Sequence, residues 1–133
     1  SSIQMEISHH YGLEKFNEYG MVIFTLINRA YCKKLLISLP GQVHPAQFHK
    51  KKEESFLLMY GDLTLTLDNK NIKMKLGEVV TIEKGMVHQF SSKKGAIVEE
   101  ISDTHNTDDS FYIDDKINLN DNRKTFINFY KNL

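Results

Sequence analysis

A chain of 133 residues, 41% apolar and 26% charged, has the make-up of one ordinary folded domain, which excludes a disordered polar chain. Lys and Arg total 17 against 17 Asp and Glu, so the net charge is zero and the basic excess of a nucleic-acid binder is missing. The single cysteine, Cys32, excludes an intrachain disulfide, and no apolar run reaches membrane-spanning length.

Taken together these features predict a cytoplasmic protein, with Cys32 reduced and buried as a small apolar residue. The N-terminus lacks a signal-peptide core. The chain opens on Ser-Ser without an initiating Met, as expected of a processed chain or of a domain cut from a longer protein.

Residues 1–20 suit one short strand, then a helical turn over Leu13–Tyr19 that Ser8 is able to cap, although Gly12 interrupts the segment. His9 and His10 are adjacent, so in a strand they face opposite sides. They read as surface or N-terminal contacts rather than as a metal pair. M-V-I-F-T-L-I-N and K-K-L-L-I-S-L are rich in β-branched and aromatic residues and predict two strands, ended by the turn Pro40-Gly41. V-H-P-A-Q-F-H and S-F-L-L-M-Y predict two more, paired as a hairpin across the polar K-K-K, with the second stopping at a turn at Gly61-Asp62. In D-L-T-L-T-L-D, Leu63, Leu65 and Leu67 share one face and Thr64 and Thr66 the other. Asp68–Asn71 is a hairpin turn before I-K-M-K-L. V-V-T-I, V-H-Q-F and A-I-V-E-E-I-S complete the strands. Many short strands, each about ten residues from the next, predict an all-β sandwich or barrel. The apolar run after Thr104 needs a partner surface, as an added edge strand or as a subunit contact.

The residues with chemistry cluster around Gly41–Gly61. Gln47 and His49 are two apart and so share a face in a strand, and Glu54 comes back beside His49 if the chain turns at K-K-K. His88 opens a later strand after a tight glycine turn. Two imidazoles, a carboxylate and an amide oxygen form a candidate ligand set for a divalent metal. The alternative is a metal-free pocket in which these groups hydrogen-bond a ligand or one another. His44 stands three residues before Gln47, which does not put it on the same face, so its use in place of a missing imidazole is a side possibility. Lys52 reads as a pocket base with a depressed pKa, as a phosphate contact, or as part of a solvated lysine turn. Glu99 and Glu100 face opposite sides, so at most one enters the barrel, and parity does not choose between them. Phe48, Phe56, Tyr60 and Phe90 read as core. Phe56 and Tyr60 share the parity of Glu54 and are expected to line the pocket, and His105 sits at the rim or in a surface loop.

The spacings resemble the paired motifs of the cupin superfamily. Its first motif is Gly, five residues, His-x-His, three or four residues, Glu, six residues, Gly. Here it reads Gly41, five residues, Gln47-x-His49, four residues, Glu54, six residues, Gly61. The second motif, Gly, five residues, Pro-x-Gly, two residues, His, reads Gly77, five residues, Glu83-x-Gly85, two residues, His88. Gln47 replaces the first His and Glu83 the Pro; only the first change touches the metal shell. Q-F-H-K-K-K-E-E further resembles the H-F-H-x-x-K-x-E pattern of D-lyxose isomerase-type sugar cupins, in which Lys52 matches the active-site lysine. I-S-H-H-Y-G-L-E-K-F, I-N-R-A-Y-C-K-K-L, E-E-I-S-D-T-H and N-R-K-T resemble cupin modules that accompany sialic-acid-synthase-like enzymes.

The resemblance implies a double-stranded β-helix, or jelly-roll barrel, with a C-terminal extension. It implies a single domain over 1–133: strands in 1–34, a motif core over about 35–102 and the extension in 103–133. It implies a metal (Mn, Fe or Zn) held by Gln47, His49, Glu54 and His88 and catalysis by Lys52, and of the two glutamates Glu100 is taken as the second catalytic residue. The implied ligand is a sugar or nucleotide sugar touched by His44, Phe56, Tyr60 and His105. Three functions follow: a metal-dependent sugar isomerase or epimerase, a non-catalytic sugar-binding module serving a synthase domain in surface-polysaccharide or sialic-acid metabolism, or an iron dioxygenase. A homodimer is expected from the apolar C-terminal run, with no nucleic acid and no membrane as partner.

Overall fold

The structure, a computed structural model, describes residues 3–129. The strands are β1 (Ile3–Ser8), β2 (Met21–Asn28), β3 (Tyr31–Ser38), β4 (Val43–Phe48), β5 (Glu54–Gly61) and β6 (Leu63–Leu67). They continue with β7 (Lys70–Met74), β8 (Val79–Ile82), β9 (His88–Ser91), β10 (Ala96–Asp103), β11 (Phe111–Tyr112) and β12 (Lys124–Phe129). A 3₁₀ turn at Leu13–Lys15 and one short helix, α1 (Asp115–Asn118), are the helical pieces among the described residues. No helix there is long and apolar enough to cross a membrane.

Two antiparallel sheets face each other: seven strands in the order β12-β1-β2-β3-β10-β5-β8, and five in the order β11-β4-β9-β6-β7. From β4 onward the chain passes repeatedly from one sheet to the other, which is the jelly-roll winding. The C-terminal extension joins both sheets, β11 pairing with β4 and β12 with β1. The apolar run after Thr104 thus ends as added edge strands; its last residues, 130–133, lie outside the described residues.

The hairpin expected at K-K-K is instead a crossover. K-K-K carries the chain from β4 in the smaller sheet to β5 in the larger, and Gly61-Asp62 carries it back to β6. The second corner has a steric cause. Gly61 has φ +81°, and a Cβ there would come 1.8 Å from the carbonyl oxygen of Gly95, so only glycine fits. The Asp62 carboxylate accepts hydrogen bonds from the Lys93 and Lys94 amides and the Ser92 hydroxyl, which fixes the turn. The hairpin between β6 and β7 is as expected. Asp68 and Asn69 both have positive φ, and Leu67 pairs with Lys70, as in a two-residue primed turn.

At the N-terminus the expected helical segment over Leu13–Tyr19 is reduced to the 3₁₀ turn. It is entered through Gly12 at φ 99° with no side-chain cap. Ser8 closes β1 and donates its hydroxyl to Glu6 instead.

Strand alternation sorts the inner face of the larger sheet into rows. Ile23, Leu36, Val98 and Leu58 lie side by side on β2, β3, β10 and β5, and the next row along the strands runs Thr25, Lys34, Glu100, Phe56. Beyond it come Cys32, Ser102 and Glu54. One end of the sandwich is therefore apolar, where Leu36, Leu58, Leu63, Leu65, Phe90 and Val98 form the core. Each of these side chains contributes about 1.5–3 kcal/mol by burial. Toward the other end the same inner faces carry charge, and there a cavity opens.

Candidate metal centre and cavity

The cavity has a volume of about 40 Å³, room for an ion or a few waters. The two sheets supply its walls separately. His49 directly follows β4 and His88 opens β9; across the barrel Glu54 opens β5 and Glu100 lies on β10. The second glycine turn ties these parts together, because the Gly85 amide donates to the His49 carbonyl at 2.7 Å.

His49, Glu54 and His88 offer three ligand atoms within 4.8 Å of one another, all buried. His49 Nδ1 lies 2.7 Å from the carbonyl oxygen of Asp109, and His88 Nδ1 lies 3.0 Å from that of Met86. A carbonyl only accepts, so each Nδ1 donates its hydrogen and each neutral ring turns the Nε2 lone pair inward. Those Nε2 atoms stand 3.4 and 3.0 Å from Glu54 Oε1. Neither His88 Nε2 nor Glu54 Oε1 has a hydrogen-bond partner. Acceptors facing one another in a buried site call for a cation between them, a proton or a metal ion. Ring N–H groups anchored on carbonyls are also the usual support behind metal-bound imidazoles. The residues present therefore fit a divalent ion.

The electrostatics agree. Burial alone would push Glu54 up, but His49, His88 and Lys52 outweigh it and hold its carboxyl well below the usual range. His88 is likewise pulled down by burial and lifted more strongly by Glu54, ending above an ordinary histidine.

Gln47 is buried, lines the same cavity and pairs directly with His88 across β4 and β9. His44 also enters the cavity, against the expected parity. The register between β4 and β9 slips between His44 and Gln47, and that bulge at Pro45 turns both side chains inward. His44 does not replace the missing imidazole: its Nδ1 faces its own neighbour's carbonyl, and its ring lies flat on Phe90 at 4.7 Å.

Lys52 is buried, not part of a solvated turn. Its Nζ stands 3.3 Å from Glu100, 3.4 Å from Glu54 and 3.3 Å from His105 Nδ1. The expected depressed pKa is not found. Burial pulls the ammonium down, but Glu100 and Glu54 together raise it above the ordinary lysine value, so Lys52 stays charged at neutral pH. Glu100 is the member of its pair that enters the barrel; Glu99 faces out toward Lys33 at 3.8 Å. His105 lines the cavity, and burial, reinforced by Lys34 and Lys52, lowers its pKa to about 2.

Phe56 lines the cavity, but Tyr60 does not and is 65% exposed. A bulge opposite Ile97 and Val98 breaks the alternation of β5 after Leu58 and turns Tyr60 outward. His9 and His10, expected at the surface, are both buried, against Thr125 and Tyr112 respectively, because the C-terminal extension covers them.

Sequence reasoning missed Asp109, whose carbonyl orients His49 and whose carboxylate accepts the amides of Lys50 and Lys51. Nothing in T-H-N-T-D-D-S marks it out. Glu6, Lys34 and Lys124 also line the cavity. Lys34 was legible, since it alternates with the buried Leu36.

Comparison with known proteins gives a consistent result. The family description of the cupin domain matches residues 35–101. The D-lyxose/D-mannose isomerase of Thermosediminibacter oceani is 28% identical over 129 residues, covering 75% of this chain and 71% of that protein. The L-ribose isomerase of Cellulomonas parahominis, solved with L-ribose, superposes with a TM-score of 0.75 at 14% identity over 86% of this chain and 81% of that one. The Cnp3 cupin domain of Schizosaccharomyces pombe aligns with a TM-score of 0.59 at 16% identity. That alignment covers 64% of this chain and 65% of that one, so the chain spans less than two thirds of that relative. At such identities the superpositions establish the fold.

Proposed function

Because this chain belongs to the cupin family, we propose that it is a metal-dependent isomerase that interconverts an aldose with its ketose. One observation carries the reading: unsatisfied His88 Nε2 and Glu54 Oε1 converge with His49 beside a buried Lys52–Glu100 pair. The ion would be held by His49, Glu54 and His88, with the amide oxygen of Gln47 as fourth ligand. Mn, Fe or Zn suits such a set, and the hard amide oxygen favours Mn or Fe. When bound, the ion supplies Lewis-acid polarisation of substrate carbonyl and hydroxyl oxygens.

In this reading Glu100 takes the proton from one sugar carbon and returns it to the next. Its burial and its contact with Lys52 support that role. Lys52 remains protonated, so it holds the carboxylates and a substrate oxygen and is not the base. His44, Phe56 and His105 line the space for the sugar.

A second reading is favoured by Gln47: a weakened metal shell suits a non-catalytic module that binds a sugar or nucleotide sugar for a partner or fused synthase of polysaccharide or sialic-acid metabolism. Either form is read as a cytoplasmic homodimer.

The test is metal analysis of protein purified without chelator, then incubation with D-lyxose, D-mannose and L-ribose in deuterated water. Ketose carrying deuterium at C1 is expected, with deuterium at C2 in the aldose re-formed from it. Metal-loaded protein that binds these sugars and leaves C2 unexchanged favours the module and removes the isomerase.

A further inference from the structure

The cavity holds more charge than the proposed chemistry uses. In sheet order, Glu54 on β5 and Glu100 on β10 are followed by Lys34 on β3, Glu6 and Ser8 on β1, and Lys124 on β12, all lining the same cavity. Each carboxylate there is engaged. Glu54 and Glu100 share Lys52, while Glu6 accepts the Ser8 hydroxyl and stands 3.8 Å from Lys124 Nζ. Lys34 is different. It is 5% exposed, its strand partners are Thr25 and Glu100, and it has no hydrogen-bond or ion-pair partner among the described residues. An ammonium that lines a ligand cavity with no anion in hydrogen-bond reach points to a ligand that completes it.

The surroundings agree. The charges felt by His105 come from Lys34, Lys52, Lys124 and His49, and all of them disfavour its protonation. Three lysines and three glutamates line the cavity, and toward His105 the lysines weigh more. From β5 to β3 is two strand spacings, roughly 10 Å, a separation that a five- or six-carbon sugar with a terminal substituent spans.

We infer that the sugar taken by this cavity carries an anionic group, a phosphate ester or a carboxylate. Lys34, with Lys124, holds that group while the reacting carbons lie at the His49–Glu54–His88 end. The inference rests on the sugar-isomerase reading only for its carbohydrate part; the anion site stands on Lys34 and its neighbours.

The experiment is isothermal titration calorimetry on the full chain with D-lyxose and D-mannose, the terminal phosphate of each and the corresponding uronic acids. Inorganic phosphate is followed by thermal shift. The wild type is expected to bind one anionic form about tenfold or more tighter than the neutral sugar, less so at high salt. Whichever of phosphate and uronate is preferred identifies the group. Lys34→Met removes the preference and leaves neutral-sugar affinity within about twofold. If that variant does not fold, Lys34→Gln and Lys124→Met carry the same comparison.

Neutral and anionic sugars bound alike, or a Lys34→Met loss shared equally by both, overturns the anion site and leaves the sugar reading. Inorganic phosphate that stabilises the protein only when Lys34 is present, with no sugar bound, keeps the anion site and removes the sugar reading.

Discussion

Four of the buried histidines divide two and two, one of each pair, His49 and His44, lining the cavity. His49 and His88 each anchor Nδ1 on a carbonyl and turn Nε2 toward Glu54. His10 and His44 meet edge to face with ring centroids 4.7 Å apart, His44 lies on Phe90, and His10 reaches the Tyr112 hydroxyl at 3.2 Å. All four are equally withdrawn from water. Yet His88 is raised by its carboxylate, while burial, with Arg123, Lys124 and His9 nearby, takes His10 down to about 4. His44 also falls well below the ordinary value, through burial and then through His10 and His88. Burial does not tell what a histidine does; the atom facing its second nitrogen does.

The contrast breaks most visibly at the charged end. Lys52→Met leaves Glu54 and Glu100 buried without their shared cation, and a loss of about 3–5 kcal/mol is expected in urea unfolding of metal-free protein at neutral pH. A loss under 1 kcal/mol would mean that solvent already reaches the pair.

Glu54→Ala removes the one carboxylate of the ligand group. Metal affinity should fall by more than the roughly 100-fold typical of losing a supporting partner, read by metal analysis against wild type. Unchanged metal content would place the ion elsewhere.

The aromatic end is sharpened by pH. A histidine whose folded pKa is lowered takes up protons mainly on unfolding, so it loses stability as pH falls from about 6.5 toward 4. For His10 that amounts to about 2 kcal/mol between pH 7 and pH 5. His10→Asn should therefore lose less stability than wild type over that interval, by about that amount, in paired urea titrations. Parallel curves for the two proteins would show His10 already protonated in the fold.

The smallest effect restores the family pattern. Gln47→His should tighten metal binding by about tenfold and shift preference toward Zn, measured by chelator competition. No change in either would remove Gln47 from the ligand set.

The fold and the convergence of His49, Glu54 and His88 were legible because glycine and histidine spacings in this chain mark corners and strand ends, and those survive any error in strand pairing. Everything that depends on register was less legible. Tyr60 and His44 were both misjudged by alternation, each because a bulge shifts the count by one. The hairpin at K-K-K brought Glu54 to His49 by the wrong route; the meeting occurs across two sheets. The state of Lys52 was unreadable from sequence, since it depends on Glu100, 48 positions away. So was the burial of His9 and His10, which depends on what the far end of the chain covers.

Asp109 gives the centre a handle outside the barrel. It belongs to the loop between β10 and β11, bears on no ion-facing atom, and still sets the tilt of one imidazole and the path of the lysine crossover. A nick, a graft or a neighbouring domain that strains this loop would shift His49 together with His105 and Ser110, which line the cavity. The stretch after Asp103 is thus the adjusting screw of the site, a place to reposition His49 without substituting His49, Glu54 or His88.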